Sequence, residues 1–212
     1  VLLFRPADVQ RLTSMAAENA NRERNVSLVY EMLLCVDPPG DLVCRRKALA
    51  KYFGDTWSAA DCSKLCDACA SAAQGGVARD MSTLAHALLR TIAAASQREG
   101  GDKLTLLKAV DTARTDTAAA KRLRGGRPAE EVCRSAAPRD VERVLARLMA
   151  KRFLEEEFVF NAYSANGYLR LTEAGAEAAT PGARPLDMKL LDLPSAGEIR
   201  LPAVARHGNA CK

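Results

Sequence analysis

PRDVERVLARLMAKRFLEEEFVFNAYSANGYLRL, residues 138–171, changes its hydrophobic period partway along. Over 138–154, Val141, Leu145 and Leu148 recur at helical spacing and carry one apolar face on to Phe153. Pro138 suits the first turn, where its missing N–H costs nothing. From Glu157 the period becomes two. EFVFNAY (157–163) and GYLRL (167–171), joined across SAN, read as the strands of a β-hairpin. Two helices precede this stretch. MSTLAHALLRTIAAAS (81–96) places Leu84, Leu88 and Ile92 on one face, and LTLLKAVDTA (104–113) follows a GGDK turn.

Three helices and then a hairpin is the order of a winged helix, expected over 78–172. From about Thr172 the chain breaks into Pro, Gly and Ala (TPGARP, LPSAGE, ARHGNACK), and 173–212 reads as a mostly disordered, low-complexity tail. Within it, LDMKLLDL (186–193) is undecided between a docked segment and a short helix. The fold class expected is mainly α with a small β-wing.

Upstream, DCSKLCDAC (61–69) brings Cys62, Cys66 and Cys69 together at CxxxCxxC spacing. Zinc in a structural site takes four thiolate or imidazole ligands in a tetrahedron. Cys44 is the expected fourth, on the helix DLVCRRKALAKYFGDTW (41–57), which Asp41 caps and Gly54 ends; Leu42, Leu49 and Phe53 can share a stripe on it. Cys35 is the rival, beyond the DPPGD breaker (37–41). Buried reduced thiols are a poor reading for three cysteines in eight mostly polar residues. A redox pair is weaker still, since no βαβ pattern surrounds Cys66 and Cys69. Four cysteine ligands leave no open position, so the expected zinc is structural. A helical zinc-binding subdomain is thus expected over 21–72, with a small, Gly-rich linker (SAAQGGVARD, 71–80) after it.

The chain of 212 residues carries a net charge of +5, and the charge is segregated. Lys121, Arg122, Arg124 and Arg127 sit in AAAKRLRGGRP with no acid among them, and Glu155, Glu156 and Glu157 form an acidic counterpart. Arg139, Arg143 and Arg147 recur every fourth residue along the last helix. Such residues grip phosphates without reading sequence, or simply form a solvated face. No apolar run approaches the roughly 18 residues of a membrane span, so no membrane partner is expected.

CRRKALAKYFGDTW followed by CxxxCDxC resembles the zinc-binding subdomain of RecQ DNA helicases. The marks are Cys44-Arg45-Arg46, Tyr52-Phe53-Gly54 and Cys66-Asp67-x-Cys69. The helices and hairpin that follow resemble that family's C-terminal winged helix. KLTLLKAVD (103–111) and FVFNAYSANGYLRL (158–171) are most similar to its type one branch. FRPADVQRLTSM (4–15) is similar to the last helix of the second RecA-like motor domain, assigned to 1–20. The resemblance implies an ATP-dependent 3′→5′ DNA helicase, nuclear, acting in repair, recombination and replication. It implies zinc here, ATP and Mg²⁺ in motor domains, and duplex, forked and single-stranded DNA as partners; self-association stays open.

It also implies that the hairpin separates strands, a role that needs an aromatic at its tip, and Tyr163 holds that place. No GxxxxGK[ST] or DExH motif occurs, so the chain is expected to be an inactive piece of the enzyme. The alternatives are a zinc-stapled winged-helix regulator without catalysis, and a module whose basic face meets an acidic protein.

Overall fold

The computed structural model describes residues 5–6, 8–18, 20–37, 44–73, 77–97, 103–162 and 165–192. Its elements are α1 (Asp8–Ala17), α2 (Arg22–Val36), α3 (Arg45–Tyr52), a 3₁₀ turn (Ala59–Cys62), α4 (Asp67–Ala73), β1 (Val77–Asp80), α5 (Ser82–Ser96), α6 (Leu106–Arg114), α7 (Ala118–Leu123), α8 (Glu131–Ser135), α9 (Pro138–Ala150), β2 (Leu154–Phe160), β3 (Ala165–Leu171), α10 (Glu173–Ala178) and β4 (Lys189–Asp192). Among the described residues the chain is mostly helical with two small two-stranded sheets, a zinc-binding plus winged-helix arrangement. No described helix is long and apolar enough to cross a membrane. Two compact units result, one from 1–37 with 80–189, the other from 38–79 with 190–212.

In the larger unit α5, α6 and α9 pack on one another. Leu84, Leu88, Leu89 and Ile92 of α5 meet Leu106 of α6 and Val141, Val144, Leu145, Leu148 and Met149 of α9 in the core. The buried face of α9 is wider than the sequence stripe because α2 packs against this helix as well. The expected helix to Leu154 stops at Ala150. Arg152 takes a left-handed conformation (φ 63°), and Phe153 N–H bonds back to Leu148 O at 2.9 Å, which closes the C-terminal turn and starts β2 at Leu154.

β2 and β3 pair antiparallel from Leu154↔Leu171 to Phe160↔Ala165. The hairpin connection is therefore 161–164, not SAN: Ala165 and Asn166 already pair. α1 packs on α2 and β3, so the two upstream helices share a unit with the hairpin.

Order continues past Thr172. Its side chain caps α10 by accepting from Gly175 N–H at 3.1 Å, and 189–192 form a strand, β4, beside β1. Residues 193–212 lie outside the described residues.

The smaller unit holds α3, the 3₁₀ turn and α4. Cys44, not Asp41, is the N-cap of α3; Asp41 and Leu42 lie outside the described residues. Leu49 and Phe53 do not form a buried stripe: Phe53 is 77% exposed and stacks edge-on against Tyr52 at 5.1 Å.

Candidate metal centre and nucleic-acid interface

The thiolates of Cys44, Cys62, Cys66 and Cys69 converge, each Sγ within 4.8 Å of the others. Cys44 enters at the start of α3, Cys62 ends the 3₁₀ turn, and Cys66 and Cys69 flank the start of α4. Between Cys62 and Cys66 the chain reverses through Ser63 and Lys64, both left-handed at φ 48° and 61°. Two consecutive L residues in that region are costly, and they hold only where surrounding contacts fix them.

The donor set fits zinc. Zn–S bonds of ~2.3 Å set tetrahedral S···S distances at ~3.8 Å, and Cys66 Sγ lies 3.9 Å from Cys44 Sγ. All four cysteines are unbridged thiols, and Cys35 stands outside the cluster. Backbone N–H groups point at sulfur: Cys66 N–H to Cys62 Sγ and Cys69 N–H to Cys66 Sγ, both at 3.4 Å. Burial pushes the Cys44 thiol up. Burial also works against the Cys66 thiolate, but the Cys69 and Arg45 N–H groups outweigh it and bring this thiol down to about 7. A thiol that ionises near neutrality is ready to bind metal.

A second layer surrounds the cage. Arg45 holds Asp67 through both guanidinium arms, Nη2 to Oδ2 at 2.7 Å and Nε to Oδ1. Despite the cost of burial, Arg45 keeps the Asp67 carboxyl below the usual carboxylate range. The aspartate between Cys66 and Cys69 was the sequence signal for this pair. Its partner could not be read from spacing.

The structure splits the basic residues into two kinds. Lys121, Arg122, Arg127 and Arg139 are exposed. Arg124 is 4% exposed: it donates to Thr112 O, to Thr115 O at 2.9 Å, to Asp116 Oδ1 at 2.7 Å and to Arg127 O at 3.1 Å. It ties the end of α6 to the turn after α7, which runs through Gly125 and Gly126 at φ 67° and 84°. The Arg139–Arg143–Arg147 stripe does not face solvent as a whole. Arg147 is 1% exposed and donates to Asp37 O, with its Nη2 3.5 Å from Asp37 Oδ2, and Arg143 Nη2 lies 2.7 Å from Asp37 Oδ1. The end of α2 thus gathers two of the three arginines onto one carboxylate. Arg139 lines a cleft at the start of α9 with Arg5, Pro6 and Glu142. Tyr163 falls between β2 and β3 in sequence and lies outside the described residues.

Comparison with known proteins gives one family model: residues 6–70 match the RecQ zinc-binding domain, a span that runs from α1 into α4 and takes in all four cysteines. The chain is 30% identical over 174 residues to ATP-dependent DNA helicase Q1 of Mus musculus, covering 81% of this chain and 24% of that protein. It is 27% identical to the Pongo abelii protein of the same name, over 81% of this chain and 24% of that one. ATP-dependent DNA helicase Q-like 2 of Arabidopsis thaliana is 26% identical over 81% of this chain and 21% of its own length. The chain thus spans about a quarter of the length of the curated relatives it matches.

Proposed function

The chain belongs to the RecQ helicase family, as a C-terminal region, and from that premise we propose that it is the DNA-engaging arm of an ATP-dependent 3′→5′ helicase. One observation carries the reading: a four-thiol cage inside the matched zinc-binding segment occurs in one chain with a helix-and-hairpin unit. The longer relatives are named ATP-dependent DNA helicases, which favours this reading over a regulator without catalysis. ATP and Mg²⁺ belong to motor domains of the parent, which works in the nucleus in repair, recombination and replication. The chain alone binds zinc and DNA and does not hydrolyse ATP.

Cys44, Cys62, Cys66 and Cys69 hold the zinc. A metal closed in by four thiolates supplies a cross-link between chain segments and no site for water or substrate. Lys121, Arg122, Arg127 and Arg139 offer cations to phosphates from exposed positions. These contacts are sequence-independent and salt-sensitive. Arg124 and Arg143 serve that surface from within, by fixing the loop and helix that carry it. The hairpin is the strand separator. A Tyr163 ring stacked on the terminal base pair replaces the stacking lost on opening, about 1–3 kcal/mol per base.

The test is Tyr163→Ala in the full-length enzyme. Unwinding of forked DNA is lost while DNA-stimulated ATP hydrolysis is retained. Normal unwinding by this variant overturns the strand-separator assignment. For the chain alone, affinity for forked DNA falls steeply with salt; a flat response overturns the phosphate-gripping surface.

A further inference from the structure

We propose that the helix pair α1–α2 sets the angle of the hairpin, with Tyr30 and Glu156 as positioning residues for strand separation; this rests on the helicase reading above.

The argument begins with the pleat. Successive residues of a strand point to opposite faces, so the run Glu155–Glu156–Glu157 cannot stay together. Glu155 and Glu157 are exposed, and Glu156 shares the inner face with Leu154 and Phe158, opposite Leu169. An acid on a core face needs partners, and α1 and α2 bring them. Tyr30 of α2, 3% exposed, donates its hydroxyl to Glu156 Oε2 at 2.8 Å. Burial pushes the Tyr30 phenol up, and the facing carboxyl adds to the shift, so Tyr30 stays a neutral donor. Thr13 of α1, fully buried, faces the same carboxyl.

Three more ties run along the hairpin. Gln10 Nε2 donates to Gly167 O at 2.9 Å. The Arg22 guanidinium lies over the Phe160 ring at 4.4 Å, at the far end of β2. At the near end Arg152 lies over the Tyr30 ring at 5.2 Å and donates to Ser27 Oγ at 3.0 Å. Space is tight where Glu156 crosses the sheet: a Cβ on Gly167 would meet Glu156 Oε1 at 2.5 Å. A two-stranded hairpin is marginal by itself, and directional polar bonds specify an orientation that apolar packing alone leaves loose. Gripped by α1 and α2 from base to far end, the hairpin moves with them.

The clamp carries a titratable group. Burial raises Glu156 to about 7, against the pull of Thr13 and Tyr30. Its Oε1 is buried with no hydrogen-bond partner among the described residues, which a neutral carboxyl tolerates better than a carboxylate. The groups around the Tyr30–Glu156 pair are Thr13 and Gln10 from α1, Tyr30 from α2, Arg152 before β2, Glu155 on β2 and Gly167 on β3.

The experiment uses the full-length enzyme on forked DNA with Tyr30→Phe, Glu156→Gln and Tyr163→Ala. Tyr30→Phe lowers unwinding about tenfold, by loss of a bond to a buried carboxyl, and leaves DNA-stimulated ATP hydrolysis and fork affinity within about twofold. Glu156→Gln keeps an acceptor for Tyr30, retains most of the unwinding, and flattens its pH profile between about pH 6 and 8. Wild-type unwinding by Tyr30→Phe overturns the proposal. So does a parallel fall of unwinding, hydrolysis and affinity, which marks a general loss of structure, and so does an unaltered pH profile in Glu156→Gln. Tyr163→Ala separates the two readings. If it is inactive while Tyr30→Phe is normal, the clamp alone fails; if it unwinds normally, the strand-separator reading fails.

Discussion

Arg45 and Asp67 meet in a two-pronged ion pair, Nη2 to Oδ2 at 2.7 Å and Nε to Oδ1. The residue after Cys44 therefore holds the residue after Cys66, and the two strands of chain that supply these thiols are locked before any metal joins them. Groups that orient ligands from outside a metal's own shell matter about 10–100-fold in affinity. Arg45→Ala lowers zinc affinity by that factor in chelator competition while all four ligands remain. Cys62→Ser removes a ligand and abolishes stoichiometric zinc. Equal affinity for Arg45→Ala and wild type contradicts the locking role.

Asp37 gathers Arg143 and Arg147, and Arg147 is buried with Nε and Nη1 unpaired among the described residues. Burial pulls the Arg147 guanidinium down, and Asp37 opposes this. Removing one partner of a buried ion pair leaves an uncompensated charge, at about 3–5 kcal/mol. Asp37→Asn lowers the melting temperature accordingly. The double variant Asp37→Asn with Arg147→Met recovers part of the loss, because the more deeply buried of the two stranded charges is gone. A double variant less stable than the single contradicts this account.

Arg124 and its neighbours should separate in their effects. Arg124→Ala strips donors from three backbone carbonyls and Asp116 and lowers the melting temperature. Lys121→Ala and Arg127→Ala leave the melting temperature nearly unchanged. Each reduces fork-DNA affinity and lowers the salt slope by about one. A stability loss for Lys121→Ala equal to that of Arg124→Ala contradicts the division.

Glu156 makes the larger unit pH-sensitive. Its carboxyl titrates near 4.5 when exposed and about 7 when folded, chiefly through burial. Between those values the folded chain holds the proton and the unfolded chain does not, so stability falls as pH rises. The contribution is complete below about 4.5 and lost above about 7, at most ~3 kcal/mol. Thermal melts from pH 5 to 8 show the fall, and Glu156→Gln removes it. An identical slope in the variant places the titration elsewhere.

The helical period of 81–96, that of 138–150 within the helix expected over 138–154, and the alternation from Glu157 onward were legible, because neighbouring residues fix which face of a helix or strand is apolar. The four cysteines were legible for a related reason: few folds let CxxxCxxC avoid convergence. Boundaries were less so. Nothing in KRFL announced that Arg152 would take a left-handed turn and end α9 at Ala150. The ordering of α10 and β4 was hidden by a composition rich in Ala, Gly and Pro, since a Thr cap and pairing with a distant strand leave no periodic signal.

Charge was where sequence reasoning stopped. Arg139, Arg143 and Arg147 look alike as a stripe, and Glu155, Glu156 and Glu157 look alike as a patch. Sequence determined which cysteines converge and the helix-then-hairpin order, both read from spacing along the chain. Only the tertiary structure decided which charges are buried, because their partners are remote: Asp37 lies 110 residues before Arg147, and Tyr30 lies 126 before Glu156. A charged side chain enters a core only where folding has already placed a partner, and that placement belongs to the packing of α2 rather than to any local pattern.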